Sequence, residues 1–525
     1  MSPDLVFATT SRLRGGRFNS LAVFMLAACS SVGYAIAQES DSASAAGPKR
    51  AISIVPRITF AETLTDNVRL TTSDRRSELV TEISPGVQIS GERGRVRGYF
   101  DYALNGKFYA QNTAGASVQN ALTAFGTFEA VDQWAFVDLN AGISQQAISA
   151  LGSPAVSSAS INANQTETAT FRLSPYLRGR FANMVDYETR YTLSTNRSQS
   201  AIASDITTRD GLIRLTGRGS GARLGWSLEA GQQNTSYSVG RTTESDRLSG
   251  ALSYAVMPQL NLSASLGQES NNFTTVDKQS NPTAGFGVTW TPSENTSFAA
   301  SRDSHSYGNS HSVSFLHRTP RTSWRFSDST SVAAPSAQNG LANLGSAFDI
   351  YFAQFASVEP DPVKRAVLVS NFLQANGINP GSAIISNFAT SAASLQRRQD
   401  LSFSLFGIRD TITFIATRGE SSRLDTVTTA VDDLSNSAVI RQAGLSVSYA
   451  HKLTPDSAFN VLASAQQSSD SLGLQDSNTR SVNLSLSTRV GAKTTAVISA
   501  RRVVFESNAN PYTESAITGT LNLQF

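Results

Sequence analysis

Residues 513–525 read TESAITGTLNLQF, and their alternation decides how the rest of the chain is understood. Ile517, Gly519, Leu521, Leu523 and Phe525 carry little or no polarity, while Ala516, Thr518, Thr520, Asn522 and Gln524 are polar or small. A period of two describes an extended strand with one apolar and one wet face.

The same pattern recurs along most of the chain, beginning at Ile52, Ile54, Pro56, Ile58 and Phe60. It returns in Val96, Gly98, Phe100, Tyr102, Leu104, Gly106 and Phe108, in Val185, Tyr187, Thr189, Tyr191 and Leu193, and in Val482, Leu484, Leu486, Thr488 and Val490. Each stretch runs about 10–15 residues, longer than the usual globular strand and suited to a tilted crossing of a bilayer. Tight connectors near 91–94, 131–134, 181–184, 217–222, 256–259 and 407–411 alternate with long Ser/Asn/Thr-rich ones near 65–77, 110–118, 148–165, 195–206, 234–245 and 419–437. Outer-membrane barrels have this asymmetry of short periplasmic turns and long outer loops. The expectation is an all-β fold, a transmembrane antiparallel β-barrel of about 22 strands over residues 52–525, in the outer membrane of a Gram-negative bacterium. Trp134, Trp226, Trp290 and Trp324 fall beside the tight connectors, where an interfacial aromatic girdle belongs. A soluble β-sandwich also turns one face to water, but it needs neither the strand length nor the regular alternation of connectors.

Composition agrees. Of 525 residues, 16% are charged and 40% hydrophobic, and no later stretch is long and apolar enough for a spanning helix. The formal net charge of +3 falls toward neutrality without residues 1–37, which leaves no electrostatic footprint for nucleic acid. Arg12, Arg14 and Arg17 precede the apolar run LAVFMLAACSSVGYAIA, and Ala35-Ile36-Ala37 fits a small-x-small cleavage site. Residues 1–37 therefore read as a secretory signal and 38–51 as a flexible leader. Leu26-Ala27-Ala28-Cys29 also matches a lipoprotein processing box, so lipidation at Cys29 stands as the alternative. Cys29 is the only cysteine, and after cleavage at residue 37 no disulfide or thiolate site remains.

Charges keep to the parity opposite the apolar set. Arg97, Asp101 and Lys107, then Arg172, Arg178 and Arg180, then Asp186, Glu188 and Arg190 are the candidate lumen-lining residues. Residues 332–396 break the pattern: Phe348, Phe352 and Phe355 recur at helical spacing, Asp361-Pro362 offers an N-cap with Pro at N1, and Gly377 and Pro380 supply a stop. The expectation is two short helices in an outer loop that bury these phenylalanines against each other, against the barrel wall or in its mouth, and that sit in or over the outer mouth as a plug or cap.

No chemistry is expected of the barrel: no catalytic residue, no metal and no cofactor. His305 and His311 flank the tip SYGNS without a supporting ligand set beyond Asp303, and the Gly-rich run GRGSGA at 217–222 lacks the helix a phosphate loop requires. Residues 38–51 are too few for an N-terminal plug, which argues against a TonB-dependent receptor.

Two resemblances add to this. LNLQF, with Leu521, Leu523 and Phe525, resembles the terminal mark read by the barrel assembly machinery, which makes that machinery an expected partner beside outer-membrane lipid. The stretches ISIVPRITFAETLTDNVRL, VTEISPGVQISGERGRVRGYFDYALNGKFYA and EPDPVKRAVLVSNFLQANGINP resemble the outer-membrane barrel family associated with PEP-CTERM/exosortase systems. That resemblance implies a context of exopolysaccharide production or export, with polysaccharide export components as partners, and the wide polar lumen then suggests a conduit or pore component. A general diffusion porin for small solutes and a non-conducting structural or assembly partner are the alternatives.

Overall fold

The computed structural model describes residues 52–525 apart from 155, 183, 201–202, 219–222, 426–431, 474 and parts of 334–392. The expected signal and leader, 1–37 and 38–51, lie outside the described residues, as do 219–222 of the Gly-rich run. Strands follow one another with antiparallel pairing throughout. The first quarter comprises β1 (Ile52–Thr65), β2 (Glu78–Arg93), β3 (Val96–Tyr109), β4 (Ser117–Val131), β5 (Ala135–Ala147) and β6 (Gln165–Phe181). Next come β7 (Val185–Ser198), β8 (Ile206–Arg218), β9 (Leu224–Tyr237), β10 (Thr243–Met257), β11 (Leu260–Asn271) and β12 (Gln279–Ser293). Then β13 (Thr296–His305), β14 (Gly308–Arg318) and β15 (Thr322–Ala333) lead to helix α1 (Pro362–Ala375), followed by β16 (Ser394–Phe406) and β17 (Asp410–Arg423). A short α2 (Asp433–Asn436) precedes β18 (Val439–Thr454), β19 (Ser457–Asp470), β20 (Asp476–Gly491), β21 (Thr494–Ser507) and β22 (Tyr512–Gln524).

The sheet closes on itself because β1 pairs with β22 from Arg57↔Gln524 to Thr65↔Ala516. The Phe525 N–H adds a bond to the Pro56 carbonyl at 2.9 Å, so pairing runs to the final residue. Inside, the Thr59 hydroxyl donates to Asn522 Oδ1 at 2.6 Å and the Thr65 hydroxyl to Glu514 Oε1 at 2.9 Å, which fixes the seam's register from the wet face. A one-residue slip would exchange the two faces of every residue in the strand.

The apolar parity faces outward along the whole barrel. Leu252, Leu266 and Phe286 are 59%, 73% and 66% exposed on neighbouring strands, surface that only a bilayer covers favourably. This belt and the closed edge make the protein an outer-membrane barrel, and lipid is its immediate partner. Short connections gather at one end, such as Arg93 to Val96, Phe181 to Val185 and Gly491 to Thr494, and that end is periplasmic. Gly94 takes φ +58° in the first of these turns, a left-handed conformation that costs glycine little. Trp134, Trp290 and Trp324 stand exposed at the periplasmic end, and Trp226 lies beside the β8–β9 turn. One outer connection is unexpectedly tight: His305 pairs with Gly308 across a two-residue turn, where Gly308 adopts φ +127° and the Tyr307 ring stacks on His305 at 4.9 Å.

Two outcomes follow from this arrangement. Leu252 points to lipid and its neighbour Ser253 to the lumen, so Leu252→Lys should cost about 2–4 kcal/mol near the midplane and Ser253→Lys far less. Equilibrium unfolding from vesicles reads the difference, and equal costs would refute the register. Phe525→Asp, which removes the terminal aromatic without shortening the seam, should lower the amount of folded protein in outer-membrane fractions, whereas normal levels would show that the terminal ring is dispensable for assembly.

Candidate functional site: the lumenal insert and the wall beneath it

The segment joining β15 to β16 leaves and re-enters at the outer end, yet its core lies deep in the barrel. Helix α1 begins where the sequence places its cap: Asp361 Oδ1 accepts from the backbone N–H groups of Val363 and Lys364 at 2.9 and 3.1 Å, with Pro362 at the first helical position. Val363, Ala366, Val369 and Leu373 recur at three- and four-residue spacing and are buried on one face. Phe348, Tyr351 and Phe352, themselves helical, pack against that face. Tyr351 and Phe372 meet with ring centroids 5.1 Å apart, Phe355 and Phe372 at 5.3 Å. Residues 376–387, with the expected stop at Gly377 and Pro380, lie outside the described residues.

The helical elements pack on each other and against the barrel wall. Tyr99 of β3 and Phe125 of β4 point inward, 5.5 Å apart between centroids, and form an aromatic platform. Phe348 stacks on Tyr99 at 6.3 Å and Phe352 meets Phe125 edge-on at 6.0 Å. The insert thus finds apolar wall among charged neighbours. Tyr351 donates its hydroxyl to Ser448 of β18 at 3.1 Å, so the same unit is tied to a second part of the wall. Arg97 Nη1 lies 3.9 Å from Asp361 Oδ2, and Arg97 is next to the β2–β3 turn. The cap of α1 therefore sits near the periplasmic end. Toward the outer end, Phe388 bridges to Ala147 of β5 and packs with Ala150, Leu434 and Ile440. There Asp433 of α2 accepts from the Ala150 N–H at 2.6 Å, while burial pushes its carboxyl pKa up despite that bond.

The nine charged residues singled out in the sequence separate into local groups. Arg97 meets the insert, as above. Asp101 accepts from both terminal nitrogens of Arg57, at 2.9 and 2.5 Å, and from the Tyr99 hydroxyl at 3.1 Å, which anchors the aromatic platform. Lys107 is 1% exposed: its ammonium donates to Gln119 Oε1 at 2.6 Å and to the Ser158 carbonyl at 2.5 Å under the β5–β6 loop. Arg190 bridges Asp138 at 2.9 Å and Glu188 at 3.0 Å while its guanidinium covers the Tyr176 ring at 3.9 Å. Arg178 covers Phe136 at 4.3 Å, and Phe136 stacks on Tyr176 at 5.1 Å. Arg172 shares this face of β6 with Arg178, and Arg180 pairs with Asp186 at 2.5 Å beside the periplasmic turn. Sequence reasoning missed Tyr99, Phe125, Phe136 and Tyr176. Their signal was present: each is an aromatic on the wet parity of its strand, where a lone polar face gives no reason for one.

The histidines hold no common site. His305 faces the lumen and bonds Glu269 at 2.6 Å, whereas His311 faces outward and bonds Asp328 at 3.0 Å. Among the described residues, no group of His, Cys, Asp and Glu is arranged to hold a metal.

No family model matches the chain, and no curated protein matches it. Solved structures with a similar fold include the FrpB iron transporter from Neisseria meningitidis (F5-1 variant), at 12% identity and TM-score 0.47 over 90% of this chain and 82% of that one. The siderophore receptor PirA from Pseudomonas aeruginosa is similar at 9% identity and TM-score 0.42, over 90% of this chain and 80% of that one. The expected membership in the PEP-CTERM/exosortase-associated family, with its exopolysaccharide role, is not upheld: no family model matches the chain.

The platform gives a direct test of what seats the insert. Tyr99→Ala removes a buried ring beneath Phe348 and should release the insert at a cost of about 3–5 kcal/mol. Limited proteolysis of the reconstituted barrel should then cut within 334–392 much faster than in the unaltered protein, while the barrel keeps its heat-modifiable mobility on gels. Unchanged cleavage would show that the platform does not hold the segment.

Proposed function

We propose that the protein is an outer-membrane channel for small polar solutes, with its lumen narrowed by its own β15–β16 segment. One observation carries this reading: the insert is seated to one side. It rests on β3, β4 and β18, whereas the inward positions Ser253, Ser263, Gly287, Ser301, Ser312 and Ser329 on β10–β15 are successive partners across one ladder of the sheet. Each has a side chain no larger than a hydroxymethyl group, and Ser263 and Ser312 are exposed. Small hydroxyl-bearing residues opposite a plug leave width and hydrogen-bonding partners where a solute would pass. Arg97, Asp101, Arg172, Arg178, Arg180, Asp186, Glu188 and Arg190 supply charges of both signs elsewhere on the lumenal face, and most are satisfied by neighbours, which favours neutral or weakly charged solutes over a strongly anionic or cationic cargo. Residues 1–37 serve as the secretory leader in this reading.

Planar-bilayer recording of the purified protein tests it. Deleting residues 335–392 should raise single-channel conductance several-fold while leaving the barrel folded, and Ser301→Trp in the intact chain should lower conductance by narrowing the serine wall. Conductance unchanged by both alterations would overturn the channel reading.

A further inference from the structure

On the outward face, one sector of the outer rim gathers several arginines directly above the apolar belt. Arg302 of β13 pairs across the ladder with His311 of β14, His311 with Thr330 of β15, Thr330 with Arg397 of β16, Arg397 with Glu420 of β17, and Glu420 with Arg441 of β18. All six therefore face outward in a single row. Arg418 stands on the next row toward the membrane, between Gln399 and Ala443. The four arginines lie within a few residues of the outer ends of their strands, and each is exposed. Directly below, Phe315, Leu401, Phe414 and Leu445 form the exposed apolar belt. The two acids of the patch are already engaged: Asp328 takes Arg397 and His311, each at 3.0 Å, and Glu420 takes Arg441 at 3.2 Å. Among the described residues, Arg302 and Arg418 make no ion pair. The sector keeps an excess of guanidinium charge at the level where the outer-leaflet headgroups lie.

We propose that this row is a docking surface for the phosphorylated headgroup of an outer-leaflet glycolipid, whose acyl chains lie on the phenylalanine and leucine wall beneath it. Its position selects that occupant over a soluble anion, because the arginines adjoin surface that only acyl chains cover. Guanidinium groups donate to phosphate oxygens in bidentate fashion, and five strand spacings from β13 to β18 span about 24 Å, room for a headgroup carrying two phosphates. Asp328 and Glu420 hold Arg397 and Arg441 extended along the row, so less side-chain freedom is lost when the lipid arrives.

The test uses the full barrel in nanodiscs of neutral phosphatidylcholine doped with bisphosphorylated lipid A or with its dephosphorylated counterpart, and reads retained lipid by native mass spectrometry. The unaltered protein should retain the bisphosphorylated form preferentially. Replacing all four arginines, Arg302→Gln, Arg397→Gln, Arg418→Gln and Arg441→Gln, should weaken retention by more than about tenfold, while the matching lysine set, which keeps the charge but loses the bidentate geometry, should fall between the two. Arg209→Gln with Arg480→Gln, outward arginines away from the row, should leave retention unchanged. Equal retention of the two lipids by the unaltered protein, or equal retention by the glutamine and control variants, would overturn the proposal, and the first of these comparisons holds even if the glutamine variant fails to fold.

Discussion

Everything in this molecule depends on the hydrogen-bonded seam between β1 and β22. In a bilayer no water is available to satisfy an open sheet edge, so the strands have to form a ring or remain unstable. Closure then dictates the rest. It sends the apolar parity of every strand to lipid and the polar parity inward, and it leaves the long connections at one end and the short ones at the other. Glu514 and Asn522, which bond Thr65 and Thr59 across the seam, illustrate the economy of this: residues that would be wasted on a solvent-facing strand instead set its register.

The inside of the ring presents the opposite problem, because a wide cylinder of polar side chains does not fill itself. Two solutions coexist. Charges satisfy one another locally, as Arg190 does with Asp138 and Glu188, and aromatic residues on the wet parity offer an apolar foothold to the β15–β16 segment. Tyr99 serves both, stacked on Phe348 and donating to Asp101, which Arg57 holds in turn. A foothold bound into an ion-pair network is placed more rigidly than one that packs by contact alone.

How much of this could be read from the chain depends on whether the information is local. Strand parity is local, so the barrel, its orientation and the terminal strand were legible from alternation in stretches such as 96–108 and 513–525, and Asp361-Pro362 announced the start of α1. The destination of the insert was not legible, because it turns on Tyr99 and Phe125, which lie more than 200 residues before Phe348 and take their meaning from facing the same lumen. Lys107 shows the same limit: its parity says inward, but only the return of Ser158 over it makes it buried. The likeness in sequence that suggested a polysaccharide role rested on structural segments, which record how a barrel is built and not what passes through it.

The position of Asp361 carries a mechanical consequence. The segment that contains it is joined to the barrel at the outer rim, yet its ionic contact with Arg97 lies beside a periplasmic turn. Its described parts therefore meet the wall at two levels, Asp361 and α1 near the inner end and Phe388 beside Ala147 and Leu434 toward the outer one. The insert is thus held at two depths of the lumen, so that freeing it from the wall requires both contacts to break.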